Sequence, residues 1–169
     1  MDAIPEIGID IPEISQLAFV VEDLETAMER YRRILGLEPW EVYYIGPPEH
    51  EEGHYYDDSA NPSFEIGYAY RGELEIELIE PLEGPSIHRD FLADYGEGVH
   101  HVGCFEFEDP YAVAEKFEDA GISLVQDGKW YDTHYMYFDT AALLDGLYFE
   151  ILAGGEVDPG PTAVYPSED

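Results

Sequence analysis

Glutamates interrupt two strand-like runs of this chain, Leu74-Glu-Ile-Glu-Leu-Ile-Glu80 and Leu147-Tyr-Phe-Glu-Ile-Leu152. In the first run Leu74, Ile76 and Leu78 point one way while Glu75 and Glu77 point the other, and alone this describes a solvated sheet face. In the second run Glu150 stands by itself among apolar neighbours, and a carboxylate held there needs a cation, a hydrogen-bond cage or a proton. His100 and His101 follow Gly96-Glu-Gly-Val99 at the start of another strand-like run, and strand alternation lets only one of them enter a given cavity. A lone histidine is more often a hydrogen-bonded structural residue than a ligand, so the elements that place these groups decide the reading.

Those elements occur twice. Gln16-Leu-Ala-Phe-Val-Val-Glu-Asp23 reads as a strand, and Asp23 can cap a helix whose apolar positions Leu24, Met28, Tyr31, Ile34 and Leu35 recur until Gly36 stops it. The segment from His101 to Asp109 repeats that character, followed by Pro110 at a first-turn position, Val113, Ala114, Phe117 and the stop Gly121. Gln16 and His101 lie 85 residues apart, as do Gly36 and Gly121. Strand-like runs follow each helix, Phe64 to Tyr70 and Leu74 to Ile79 in the first half, Tyr135 to Asp139 and Leu147 to Leu152 in the second. Each half therefore reads βαβββ. Glu77 and Glu150 are offset by 73, so the first half carries about twelve extra residues, assigned to a long loop from Tyr43 to Pro62.

The expected organisation is one α+β domain with two tandem βαβββ modules. It has an N-terminal extension (residues 1–13), a first module (14–81), a linker with a short helix (82–98), a second module (99–153) and a C-terminal tail (154–169). The tail lacks an apolar period and reads as an extended arm, or as a clasp on the second subunit of a homodimer.

The repeat relates Gln16 to His101 and Glu77 to Glu150. One amide oxygen, one imidazole and two carboxylates form a reasonable shell for a divalent ion, with Zn, Ni, Co, Mn and Mg all compatible. Gln16, Glu77, His101 and Glu150 are the expected metal ligands. Glu65 is a candidate second base if its strand turns it toward the same cavity. Tyr43, Tyr44, Tyr55, Tyr56, Tyr68 and Tyr70 could line a substrate pocket, and Tyr131, Asp132, His134 and Tyr135 form a polar aromatic cluster where a lid or pocket wall could lie.

Composition narrows the setting. Seven Lys plus Arg against 39 Asp plus Glu give a formal net charge of −32, which repels polyanions and leaves no basic footprint for nucleic acid. Such charge suits high ionic strength, and the expected environment is the cytoplasm of a halophile. Cys104 is the only cysteine, so no intramolecular disulfide can form, and no run of about 18 apolar residues suggests a membrane span.

From about Ile14 to Ala153 the chain resembles the vicinal oxygen chelate superfamily, which includes glyoxalase I, methylmalonyl-CoA epimerase, bleomycin-binding proteins and extradiol dioxygenases. The resemblance rests on Gln16-Leu-Ala-Phe-Val-Val-Glu-Asp-Leu24, Glu77-Leu-Ile-Glu-Pro-Leu82, Gly96-Glu-Gly-Val-His-His-Val102, Tyr137-Phe-Asp-Thr140 and Gly146-Leu-Tyr-Phe-Glu150. It implies mixed sheets curled around a central cavity, with Gln16, Glu77, His101 and Glu150 as ligands on their concave faces. It also implies a proton moved on carbon α to a carbonyl through a metal-stabilised enediolate, with Glu150 doubling as base. The substrate would be a 2-oxoaldehyde thiol adduct, as in glyoxalase I, or an acyl-CoA, as in the epimerase. Gln16 departs from the histidine common in epimerases but fits a ligand set used by some glyoxalase I enzymes, and it counts against an iron-dependent extradiol dioxygenase. Few basic residues are placed to meet the phosphates of coenzyme A, which disfavours that carrier. The rival from another class is a metal-free, bleomycin-resistance-like binding module.

Overall fold

The computed structural model describes residues 3–167. The first half contributes β1 (Gln16–Val20), α1 (Leu24–Leu35), β2 (Trp40–Ile45), β3 (His50–Tyr55), β4 (Asp58–Ser59), β5 (Ser63–Arg71) and β6 (Leu74–Glu83). After α2 (Ile87–Tyr95), the second half contributes β7 (Gly98–Gly103), α3 (Pro110–Asp119), β8 (Leu124–Trp130), β9 (Thr133–Phe138) and β10 (Tyr148–Ala153), and β11 (Ala163–Tyr165) lies in the tail.

Local chemistry fixes the helices. Asp23 accepts from the Thr26 amide at the start of α1, and Asp109 accepts from the Ala112 amide at the start of α3, just ahead of Pro110. Gly36 closes α1 in the left-handed conformation that a glycine adopts without steric penalty. Leu24, Ala27 and Met28 bury the inner face of α1 against Trp40, Ala69, Ile76 and Leu78, whereas Val113 and Phe117 of α3 pack on Met136, Phe138, Phe149 and Ile151. Ile34 and Leu35 continue the helical spacing of α1 yet stand exposed.

All strands join one mixed sheet in the order β11-β2-β5-β6-β1-β7-β10-β9-β8-β3-β4. Its pseudo-two-fold lies between β1 and β7, which pair antiparallel. Each is flanked by a parallel neighbour from its own half, β6 beside β1 and β10 beside β7. The two copies are thus β1-β6-β5-β2 and β7-β10-β9-β8, a duplicated α+β module with a helix on the outer face of each half.

Two expectations change. The region from Tyr43 to Pro62 is not a long loop, since β2 runs to Ile45 and the hairpin of β3 and β4 extends the sheet edge beyond β8 of the other half. The His50 ring anchors that hairpin through a 2.6 Å hydrogen bond to the Tyr135 hydroxyl. A Cβ at Gly128 would lie 2.5 Å from His50 Nε2, so only glycine lets the ring come this close. The tail is extended, as expected, and it docks on both modules of its own chain. Asp132 accepts from the Glu156 and Val157 amides, β11 pairs with β2, and the Tyr165 hydroxyl donates to Glu29 over 2.6 Å.

Candidate metal centre

The four expected ligands sit on the four central strands, one each on β1, β6, β7 and β10. Register places them in two rows. Glu77, Ala18, His101 and Tyr148 are side-by-side partners across β6, β1, β7 and β10, and two residues along, Glu75, Gln16, Gly103 and Glu150 form the second row. A step of two residues keeps both rows on one face of the sheet. The pseudo-two-fold exchanges Gln16 with His101, Glu77 with Glu150 and Ala18 with Gly103. Small residues at the last two positions leave the space that the larger four fill, and a Cβ at Gly103 would sit 3.2 Å from Gln16 Cβ and 2.4 Å from the Phe105 ring.

The side chains converge on one point. His101 Nε2 lies 2.9 Å from Gln16 Oε1, 3.2 Å from Glu150 Oε2 and 3.4 Å from Glu77 Oε2. All four are buried, at 0% to 5% exposure. Gln16 has its amide fixed from behind, because Nε2 donates to Glu75 over 2.6 Å and Glu75 also accepts from the Tyr70 hydroxyl at 2.7 Å. The amide oxygen is thereby turned to the centre.

Burial and mutual charge shift the acids and the imidazole of the centre. Burial pushes the Glu77 carboxyl above its ordinary range, opposed by the bond and charge of His101 and reinforced by the charge of Glu150. Burial alone would depress the His101 imidazolium, but the charges and hydrogen bonds of Glu150 and Glu77 outweigh it and raise the group to about 9. Burial also lifts Glu75 to about 7 against the bonds from Tyr70 and Gln16. Beyond its 3.4 Å contact with His101 Nε2, Glu77 Oε2 is buried without a hydrogen-bond partner. Two carboxylates, an imidazole and an amide oxygen aimed at one point, with an orphaned carboxylate oxygen among them, fit a divalent ion.

The centre forms the floor of a cavity of about 540 Å³ lined by Tyr43, Tyr68, Tyr70, Trp130, Tyr135 and Tyr137 among others. Of the tyrosines expected to line it, Tyr44, Tyr55 and Tyr56 do not. Glu65 is corrected: Phe64, Ile66, Tyr68 and Tyr70 are the cavity side of β5, so Glu65 points to the opposite face, beside Glu80, which caps α1 through the Leu24 amide. His134 also lies outside the cavity, bonded to Asp127 at 2.8 Å and to the Tyr111 hydroxyl.

His100 and His88 complete the surroundings. Alternation predicts that His100 and His101 face opposite sides, but a β-bulge between Ala18 and Phe19 leaves His100 without a cross-strand partner and re-aims it. Its ring stacks on Tyr148 and on His88, and its Nδ1 lies 2.9 Å from His101 Nδ1. His88, from the first turn of α2, lines the cavity, is buried, and has neither ring nitrogen bonded. Burial holds both His88 and His100 well below the usual imidazole range. Ligand atoms of His88, His100 and His101 lie within 4.8 Å of one another. Nothing in the sequence singles out His88, since the residue sits on a helix outside the repeat.

Residues 15–138 match the Glyoxalase/Bleomycin resistance protein/Dioxygenase superfamily. The chain belongs to this superfamily. An ethylmalonyl-CoA/methylmalonyl-CoA epimerase of Cereibacter sphaeroides is 29% identical over 120 residues, covering 70% of this chain and 78% of that protein. Among solved structures, the methylmalonyl-CoA epimerase of Mycobacterium tuberculosis superposes with a TM-score of 0.57 at 18% identity, covering 86% of this chain and 89% of the other. A hypothetical protein of Bacillus halodurans C-125 gives 0.63 at 16% identity, covering 86% and 96%. The superfamily fold agrees with the duplicated module and its mixed, unclosed sheet, and the similarity in sequence supports an epimerase-like or related activity of that superfamily.

Proposed function

We propose that this protein is a metal-dependent isomerase or lyase that moves a proton on the carbon α to a carbonyl, as in glyoxalase I or methylmalonyl-CoA epimerase. The observation that carries the reading is the convergence of Gln16, Glu77 and Glu150 within 3.4 Å of His101 Nε2 on the floor of a cavity. A divalent ion held by these four residues would stabilise negative charge developing on the substrate oxygen.

The remaining work falls to the chain. Glu150 takes the α proton and returns it, since its carboxylate belongs to the centre and also lines the cavity. Glu75 holds the Gln16 amide in the orientation that offers its oxygen. The Tyr68 and Tyr137 rings wall the centre and keep water from the reacting carbon. His88 offers a neutral imidazole to a substrate atom further from the centre. The acidic composition supports a working place of high ionic strength, the cytoplasm of a salt-rich cell.

The test is metal content after purification, together with solvent-deuterium exchange into acyl thioesters and 2-oxoaldehyde thiol adducts. Stoichiometric metal and exchange that Glu150→Gln abolishes, with the circular dichroism unchanged, are expected. Ligand binding without metal, unaffected by Glu150→Gln, would instead identify a binding module.

A further inference from the structure

Coenzyme A would have to lay several phosphates on this protein, and among the described residues no basic side chain stands at the cavity to hold them. Phosphate is met by Arg or Lys side chains, or by the free amides at a helix N-terminus. The chain has seven basic residues, and each is engaged elsewhere. Arg30 pairs with Glu97, Arg32 with Glu29 and Glu38, Arg33 with Glu29, and Lys129 with Glu52. Arg71, Arg89 and Lys116 donate to the backbone carbonyls of Gly36, Leu82 and Gly8. Among the described residues no Lys or Arg lines the cavity.

Acceptors of the chain itself already occupy part of each helix start. Asp23 and Glu80 take amides of α1, Asp109 takes one of α3, and in α2 the Ile87 and Arg89 amides are bonded to Gln126 and Ser86. The cavity lining has the opposite sign. Glu106 and Asp158, both exposed, and the half-buried Glu41 stand with the aromatic rings of Tyr43 and Trp130. Deeper in, His88 offers two unbonded ring nitrogens.

We propose that the group processed here is delivered on a small thiol free of phosphate, one whose neutral body packs on the aromatic wall and whose N–H or ammonium groups meet Glu41, Glu106 and Asp158, rather than on coenzyme A. This rests on the proton-transfer reading above and names the class of carrier for it.

The experiment is calorimetric titration of the metal-loaded protein with methylmalonyl-CoA and with the same acyl group on N-acetylcysteamine, at about 0.2 M and about 2 M KCl. The neutral thioester binds at least as tightly, and the coenzyme A form gains several-fold as salt screens the repulsion. In the Glu106→Lys/Asp158→Lys double variant, affinity for the coenzyme A form rises severalfold while the neutral form, which loses two acceptors for its amide, weakens. Coenzyme A thioester binding about tenfold or more tighter than the neutral form, or insensitive to both salt and charge reversal, overturns the proposal. If neither thioester binds, the carrier proposal is overturned, while metal binding and the proton-transfer reading can still be tested on 2-oxoaldehyde thiol adducts. If the neutral form binds without deuterium exchange, the proton-transfer reading fails and the carrier assignment stands.

Discussion

Replacing Glu150 by Gln removes one of only two carboxylates at the centre while keeping the side chain's size, so it tests metal binding with little change in packing. A ligand that binds the folded state at about 100 times its Kd stabilises it by about 2.7 kcal/mol. For a chain of this length each kcal/mol moves Tm by roughly 2–4 °C, so the wild-type protein should gain about 5–11 °C when a chelator is replaced by saturating metal. Removing a group that merely supports a ligand weakens metal affinity about 10–100-fold, and losing a buried anionic ligand should reach at least the upper figure. At the same metal concentration the variant would then sit near its own Kd and gain only about 0.4 kcal/mol, or about 1–2 °C. Differential scanning fluorimetry across Zn, Ni, Co, Mn and Mg, each against chelator, measures both gains. An equal gain in wild type and variant, or no gain in either with any ion, would refute the assignment of Glu150 as a ligand.

Glu75→Leu frees the Gln16 amide to turn, and metal affinity measured against a competing chelator should fall about tenfold while the metal-free protein keeps its Tm; undiminished affinity would remove Glu75 from the centre. Gly103→Ala forces the Phe105 ring aside and crowds Gln16, so it should cost about 1–3 kcal/mol in urea unfolding and weaken metal binding, and a fully stable variant would contradict the packing described here. Cys104 is fully buried, and burial with the nearby Glu13 charge raises its thiol to about 11. Its alkylation at pH 8 should therefore follow unfolding, with fast labelling of the native protein as the contrary result. With a net charge of −32 the folded chain repels itself, so Tm should climb by several degrees as KCl is raised and the charges are screened. A Tm that fell with salt would mean that the surface ion pairs outweigh that repulsion.

Much of the centre is legible in the sequence because duplication leaves a measurable register. The 85-residue spacing aligns Gln16 with His101, and the structure places them on the two strands that meet at the pseudo-two-fold. Glu150 stands out because a lone charge between apolar neighbours requires a partner, and that argument needs no coordinates. Glu65 had no comparable support. Period-two alternation says that alternate residues share a face but not which set is concave, and the packing of α1 decides that Tyr68 and Tyr70 look inward.

Other features depend on contacts between distant segments. His50-Glu-Glu-Gly-His-Tyr55 has no apolar period and reads as loop, yet it becomes β3 because β8, contributed from the other half, supplies its hydrogen bonds. The tail reads only as an extended arm for the same reason, and Asp132 and β2 are what take its amides.

The sequence by itself determined the duplicated module, the two capped helices and the four polar groups set to meet, since these follow from periodicity, capping chemistry and the cost of burying a lone charge. Only the tertiary structure decided that a bulge turns His100 beside His101, that α2 carries His88 into the cavity, and that all seven basic side chains are engaged away from it. Each of those depends on which distant segments touch, and local residue preferences carry no record of that.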